Sequence, residues 1–387
     1  MHASQTTKIG IIGTGFIGGG LLKTINLFPD MEASVVLTRR KLDEFANSSV
    51  YTNSVQELID KSDLVVECNG DPVYATEIVS KALEAGKPVV TMDAELHITS
   101  GNYLSQKGLF TEAEGDQPGT LAAMKRDLVT MGFNPLVYGN LKGFLNLNPT
   151  LEDMKYWSKV QGISLEQVTG FTDGTKVQIE QVLVANGLGA VIAKQGMFGL
   201  LSDDIEQGAA LLAEKAKQLG QPISDYLLCD PKAKKKFPAG VFVTAEYDHQ
   251  QAAALKYLKL GDGPFYTMIR NFHLCHLEIP KTIRQALETG SVLLDNGRQP
   301  TASVAAIAKK TLEPGERILR GSRNFQIRGE AIRITDFPNH IPVGLISDVV
   351  IKQKVEPGQM LNFNDVELPD SLAKKAWVFT LELALAK

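Results

Sequence analysis

The sequence predicts an α/β protein: a doubly wound parallel sheet at the N-terminal end, a central α+β region, and a closing stretch of short strands. Three observations carry this. Short apolar runs alternate with amphipathic segments over residues 1–146, a glycine-rich turn joins the first run to the first helix, and beyond residue 147 longer helices are followed by strand-like segments.

Residues 8–12 (KIGII) read as a buried first strand. It ends in Gly13-Thr14-Gly15-Phe16-Ile17-Gly18, and an amphipathic helix follows at once. Gly13 permits the tight turn, Gly15 lets the backbone approach a pyrophosphate, and Gly18 lets the helix lie close on the strand. The free N–H groups at the helix start favour phosphates. All six residues of this turn are therefore candidate cofactor ligands. The second strand, residues 33–37, delivers Thr38, Arg39 and Arg40 about 20 residues after Gly18, where an NAD site places a carboxylate on the ribose. None of the three is acidic. Two guanidinium groups can instead grip a phosphate on the ribose 2′ position or stack on adenine, so NADP(H) is the expected cofactor.

Residues 63–68 form the next strand and end in Asn69-Gly70-Asp71-Pro72. The helix after it places Val73, Ile78, Val79, Ala82 and Leu83 at helical spacing and stops at Gly86, before another strand at 88–91. Ligands of such sheets lie beyond the carboxyl ends of the strands. Asn69, Gly70 and the run Met92-Asp93-Ala94-Glu95 are thereby set on the edge where a nicotinamide lies. A strand at 110–114 leads to EGDQPG, with Pro118 suited to the first turn of a helix over 119–131. A short strand at 136–138 opens into GNLKGFLN, residues 139–146. Helices over 150–161, 175–195 and 203–219 precede strands at 240–247 and 264–274. In the C-terminal stretch, Lys310-Thr311-Leu312-Glu313-Pro314-Gly315 recurs 43 residues later as Gln353-Lys354-Val355-Glu356-Pro357-Gly358. Each Pro-Gly pair suits a type II turn, and two similar hairpins or one duplicated element account for the repeat equally well.

With 387 residues, 44% of them hydrophobic, and a net charge of −4, the chain has the make-up of a globular protein of two to three domains. That charge exerts no global pull on nucleic acid or an anionic membrane, and Lys232, Lys234, Lys235 and Lys236 read as a solvated loop. MHASQTTK runs into the first strand without an apolar leader, so a cytoplasmic protein is expected. Cys68, Cys229 and Cys275 are too scattered for a disulfide framework.

Redox chemistry on a small molecule needs a proton carrier and groups that hold the substrate. Glu95 lies on the nicotinamide edge, and Glu114 and Asp116 close a strand beside a helix start. Lys142 has small neighbours in GNLKGF. Asp173 and Lys176 share FTDGTK, where Asp173 also suits a helix N-cap. His273, His276 and Glu278 form H-x-x-H-x-E, but on a strand His273 points away from the other two, so no protein-only metal site is expected. A divalent ion such as Mg²⁺ or Mn²⁺ bridging substrate to Glu114 and Asp116 stays open.

GTGFIGGG, GKPVVTMDAE at 86–95, AEGDQPG at 113–119 and GFTDGTK at 170–176 resemble the homoserine dehydrogenase-like oxidoreductases with a C-terminal SAF domain. That group includes the deoxyxylulose phosphate reductoisomerase-like enzyme of the isoprenoid pathway. RILRGSR and VEPGQML resemble the SAF β-clip itself. The resemblance spans essentially the whole chain and implies a Rossmann domain over 1–146, a catalytic and oligomerising domain over 147–300, and an SAF-like clip over 301–387. It implies that Gly13, Gly15 and Gly18 hold the pyrophosphate while Glu95, Glu114, Asp116, Lys142 and Lys176 line the active cleft. The expected reaction is NADP(H)-dependent oxidation or reduction of a small polar substrate, a phosphorylated sugar or polyol, with Arg320, Arg323 and Arg328 on the phosphate. The expected partners are that substrate and further copies of the chain, not nucleic acid or membrane. Two alternatives remain. One is homoserine dehydrogenase-like oxidation of an amino-acid alcohol, against which the lack of a lysine after Val89-Val90-Thr91 counts. The other is a sensor that binds NADP(H) without turnover.

Overall fold

The structure, a computed structural model, describes residues 6–46 and 48–386. The expectation for the leader falls largely on residues 1–5, outside the described residues. The chain forms two compact units. The first runs to Thr120 and adds Leu274–Asp295 and Leu372–Thr380, and the second comprises Leu121–His273, Asn296–Ser371 and the C-terminal residues from Leu381.

In the first unit, β1 (Thr7–Ile12), β2 (Met31–Leu37), β3 (Tyr51–Thr52), β4 (Leu64–Glu67), β5 (Val89–Thr91) and β6 (Phe110–Glu112) make one parallel sheet, ordered β3-β2-β1-β4-β5-β6. This is the doubly wound, Rossmann-like arrangement the sequence predicts. The strands carry continuous Val, Ile and Leu because helices cover both faces of a parallel sheet. The order reverses between β1 and β4, which opens the ligand crevice beyond their carboxyl ends. The helix Pro72–Glu84 starts where it does because the Asp71 carboxylate accepts the Tyr74 N–H and Pro72 fits the first turn. A helix that the sequence reading passed over, Ile279–Thr289, packs Ile279, Ile283 and Ala286 into the same core as Ile9, Val66 and Val90.

In the second unit, β7 (Asn134–Lys142), β8 (Leu200–Ser202), β9 (Ile223–Cys229), β10 (Val241–Glu246) and β11 (Phe265–Arg270) form a mixed sheet ordered β11-β10-β7-β9-β8. The expected strand at 136–138 is in fact nine residues long, and Lys142 is its last residue instead of part of a loop. The expected strand at 264–274 stops at Arg270, and residues Cys275–Leu277 turn as a short 3₁₀ helix, so strand alternation does not govern His276 and Glu278. The helix Thr175–Leu188 ends seven residues before the expected 195, with Gly189 as its C-cap. It is buried nearly all round, because β7 and β9 lie against it on one side and the C-terminal strands on another.

Those strands are β12 (Ala302–Ala308), β13 (Arg317–Arg320), β14 (Ile327–Arg333), β15 (Ser347–Ile351) and β16 (Val366–Glu367). β12 pairs with β14, and β13, β15 and β16 form a second small sheet. The two repeated turns meet at equivalent residues: Leu312 and Val355 exchange backbone hydrogen bonds of 2.9 and 3.0 Å. Beyond them lies a helix, Leu372–Leu385, in place of the short strands expected there. Among the described residues no helix is long and apolar enough to cross a membrane.

The EGDQPG element owes its shape to close backbone approach. A Cβ on Gly119 would stand 1.8 Å from the Ala113 carbonyl oxygen, so the helix Gln117–Thr130 begins pressed against the end of β6. Gly119→Ala is expected to destabilise the protein by about 1–3 kcal/mol, the scale of forced overpacking, and the urea midpoint measures it.

Candidate active site

At the end of β1 the chain turns through Gly13 into the helix Phe16–Ile25. A Cβ on Gly18 would lie 2.1 Å from the Gly13 carbonyl oxygen, so only glycine lets the helix seat here. Nothing lies within 4 Å of the Cβ position of Gly15, and no side chain caps the helix among the described residues. Open space beside uncapped first-turn N–H groups suits a pyrophosphate. Thr14 is half-buried in this turn, Phe16 is exposed, and Ile17 packs on the sheet core. Asn69 and Gly70 follow β4, and the Asn69 N–H donates to Glu67 Oε1 at 2.6 Å.

After β2, Thr38 turns inward and its hydroxyl accepts the Arg40 N–H at 3.2 Å. The two arginines diverge. Arg39 lies 2.9 Å from Asp71 and 4.3 Å over the Tyr74 ring, whereas Arg40 pairs with Glu44 at 2.8 Å and lies 5.1 Å from the Phe45 ring.

β4, β5 and β6 end in polar side chains that the core encloses. Glu67, at the end of β4, accepts the Thr91 hydroxyl at 2.7 Å. Burial, helped by the charge of Asp93, pushes its carboxyl up to about 8. Glu112, at the end of β6, is also driven well up by burial and by Asp116. His97 opens a π-helical turn, His97–Gly101, with Nε2 3.5 Å from Glu112 Oε2. Burial drops its pKa to about 3, so the imidazole is neutral. Asp93 caps the short helix Ala94–Leu96, accepting the N–H groups of Glu95 and Leu96, and this places Glu95 in a buried first turn.

Glu114 donates its N–H to the Thr282 hydroxyl at 2.9 Å, and its carboxylate meets Lys281 Nζ at 2.8 Å. A divalent ion there would have to displace that ammonium. Asp116 accepts the Gly119 N–H at 3.3 Å, as a helix cap does. Among the described residues no three His, Cys, Asp or Glu side chains are placed to hold a metal. His276 instead lies edge-on to Phe16, 5.5 Å between ring centroids, and against Gly20.

A second cluster stands at the end of β7. Asn140 and Lys142, two residues apart on a strand, share a face, and one turn of the helix Thr175–Leu188 aligns Lys176 with Glu180. Glu180, whose side chain is 1% exposed, joins the other three. Its Oε2 accepts the Asn140 amide at 2.9 Å and lies 3.6 Å from Lys142 Nζ, while Oε1 lies 3.2 Å from Lys176 Nζ. Burial opposes the ionisation of Glu180, but the Lys176 and Lys142 ammonium groups outweigh it and hold the carboxyl below its usual value; His273 adds in the same direction. Burial lowers Lys142, and Glu180 offsets this only in part because Lys176 repels the same charge. Lys176 also lies 4.8 Å over the Phe171 ring.

Glu180 escaped the sequence reading, although its place four residues after Lys176 was a usable signal. Asp173 is fully buried and accepts the Thr175 N–H at 2.9 Å, and its other oxygen pairs with Lys309, a residue no local pattern pointed to. Arg328 pairs with Glu330 at 2.6 Å. Arg323 takes a left-handed backbone, φ 66°, and its side chain crosses Gly170. Arg320 is exposed.

Residues 13–114 match the family described as homoserine dehydrogenase, NAD binding domain, and residues 115–279 match oxidoreductase DRL, catalytic domain. The chain therefore joins a nicotinamide-dinucleotide binding domain to an oxidoreductase catalytic domain. Similar solved structures include scyllo-inositol dehydrogenase from Lactobacillus casei with bound NAD(H) and scyllo-inositol, at 12% identity and TM-score 0.43, covering 76% of this chain and 92% of that one. UDP-N-acetylglucosamine 3-dehydrogenase GnnA from Acidithiobacillus ferrooxidans is 10% identical at TM-score 0.42, again covering 76% and 92%. Likenesses this distant carry nothing about substrate. No curated protein matches the chain.

The raised Glu67 carboxyl has a definite pH signature. Its folded pKa of about 8 exceeds the ordinary 4.5, so its contribution to stability is present below 4.5 and is lost as pH rises through 8. Glu67→Gln keeps a neutral side chain at every pH. Thermal midpoints across that range should fall more steeply for the parent than for Glu67→Gln, and parallel profiles would refute the buried neutral acid.

Proposed function

We propose that this oxidoreductase uses NADP(H) to oxidise or reduce a small phosphorylated sugar or polyol, with reductoisomerisation as one form of the reaction. The observation that carries the proposal is the Lys142–Glu180–Lys176 cluster, in which one buried carboxylate orients two ammonium groups. A half-buried lysine whose pKa burial lowers gives up its proton more readily than a solvated one, which suits it to carry a proton. Lys142 takes the proton from the substrate hydroxyl during oxidation and returns it to the carbonyl oxygen during reduction. Lys176 holds the oxygen on which negative charge develops. Glu180 and Asn140 fix both lysines without touching substrate. A bound nicotinamide dinucleotide supplies the hydride donor or acceptor.

Two features support the finer points. Arg39 follows β2 and lies 4.3 Å over the Tyr74 ring, a place that favours the 2′-phosphate of NADP(H). Arg323, held next to the GFTDGTK segment, suits a substrate phosphate, and a dianionic handle gives a small substrate binding energy. In the same reading residues 1–146 serve the cofactor, 147–300 catalysis and oligomerisation, and 301–387 form an SAF-like clip.

Arg39→Ala should weaken NADPH binding by about 1.5–3 kcal/mol and barely alter NADH binding, as read by fluorescence titration. Equal losses would remove the 2′-phosphate from the argument. Lys142→Met and Lys176→Met should each lower turnover about a hundredfold or more while NADPH affinity holds. Because each change strips a counter-charge from buried Glu180, a modest drop in thermal stability should accompany it. The assay is NADPH consumption, or NADP⁺ reduction with the alcohols, across phosphorylated sugars, their dephosphorylated forms and aspartate semialdehyde, with deoxyxylulose phosphate first. Faster turnover of an unphosphorylated compound would overturn the phosphate assignment.

A further inference from the structure

We infer that Lys309 is a positioning residue for the Lys142–Glu180–Lys176 cluster, acting through Asp173 at the start of the helix that carries Lys176 and Glu180. This rests on the catalytic reading of that cluster.

Lys309 directly follows β12, and its side chain is 4% exposed against 0% for Asp173. The ammonium also donates to the Asn324 carbonyl at 2.6 Å. Asp173 passes the constraint on, accepting the Thr175 N–H at 2.9 Å. Thr175 is held from its other side, its hydroxyl accepting the Gly329 N–H at 2.9 Å. One turn later Gln178 accepts the Ala331 N–H at 2.8 Å. Residues after 300 thus grip the first turn of the helix through directional polar contacts, whereas the middle of the helix, Val182 to Val184, is buried in apolar packing.

The choice of a charged pair is informative. A buried ion pair is seldom more stabilising than an apolar pair of the same size, because desolvation offsets the attraction. What it adds is direction, since charged hydrogen bonds tolerate little displacement. Lys176 sits between Thr175 and Val177, so a slip of the first turn changes its 3.2 Å approach to Glu180 and, through Glu180, the surroundings of Lys142. Shifts near 1 Å in a supporting shell are enough to spoil a site.

The test measures the lysines directly and needs no substrate. Full-length protein is labelled with trace acetic anhydride across pH, and the modification of Lys142 and Lys176 is read by peptide mass spectrometry. Their side chains are 18% and 38% exposed, within reach of the reagent. Lys309→Met should move the labelling midpoint of Lys142 by about half a pH unit or more, and Lys309→Arg should restore it in part. The double variant Asp173→Asn with Lys309→Met leaves no lone buried charge and guards against simple unfolding. It should recover thermal stability and still show the displaced midpoint. A folded Lys309→Met or double variant with the parent's Lys142 midpoint overturns the inference. Normal turnover in Lys142→Met and Lys176→Met would instead overturn the catalytic reading, an outcome the labelling experiment does not share.

Discussion

A carboxylate enclosed by protein must find positive charge, and Glu180 finds two ammonium groups and an amide. That requirement ties the last residue of β7 to the first turns of the helix Thr175–Leu188. Loss of either lysine would leave an under-compensated charge in a medium where such charges are costly. The same enclosure tunes the lysines, because burial disfavours the ammonium of Lys142 while Lys176 repels it. Stability and proton chemistry therefore draw on one set of contacts.

The first unit solves the opposite problem. Among the described residues no lysine pairs with its carboxyl groups at the ends of β4 and β6, and burial favours the neutral form of Glu67 and Glu112. Glu67 then works as a hydrogen-bonding strut, joining Thr91 of the neighbouring strand to the Asn69 turn. Glu114, by contrast, reaches Lys281 from a helix 167 residues further along and stays an ion pair.

How much could be read in advance depended on distance along the chain. The glycine turn, the strand before it and the helix after it are contiguous, so their geometry follows from local stereochemistry. EGDQPG likewise carries its own cap and proline, and its helix begins within two residues of the expected start. Glu180 was within reach as the i+4 partner of Lys176. The β7 strand was underestimated because Gly139 and Asn140 look like loop residues, yet pairing with β9 and β10 carries it on to Lys142. The terminal helix Leu372–Leu385 was lost for the converse reason, since the Pro- and Gly-rich turns before it set an expectation of strands.

By itself the sequence determined the doubly wound sheet, the glycine-rich turn after β1 and the positions of two lysines in glycine-bearing motifs, because each is encoded by neighbours within a turn or a strand. Only the tertiary structure decided what those groups face. Lys309 meets Asp173 across 136 residues, and Lys281 meets Glu114 across 167. The state of a titratable group depends on burial and on charges a few ångströms away, and both are properties of the packed chain.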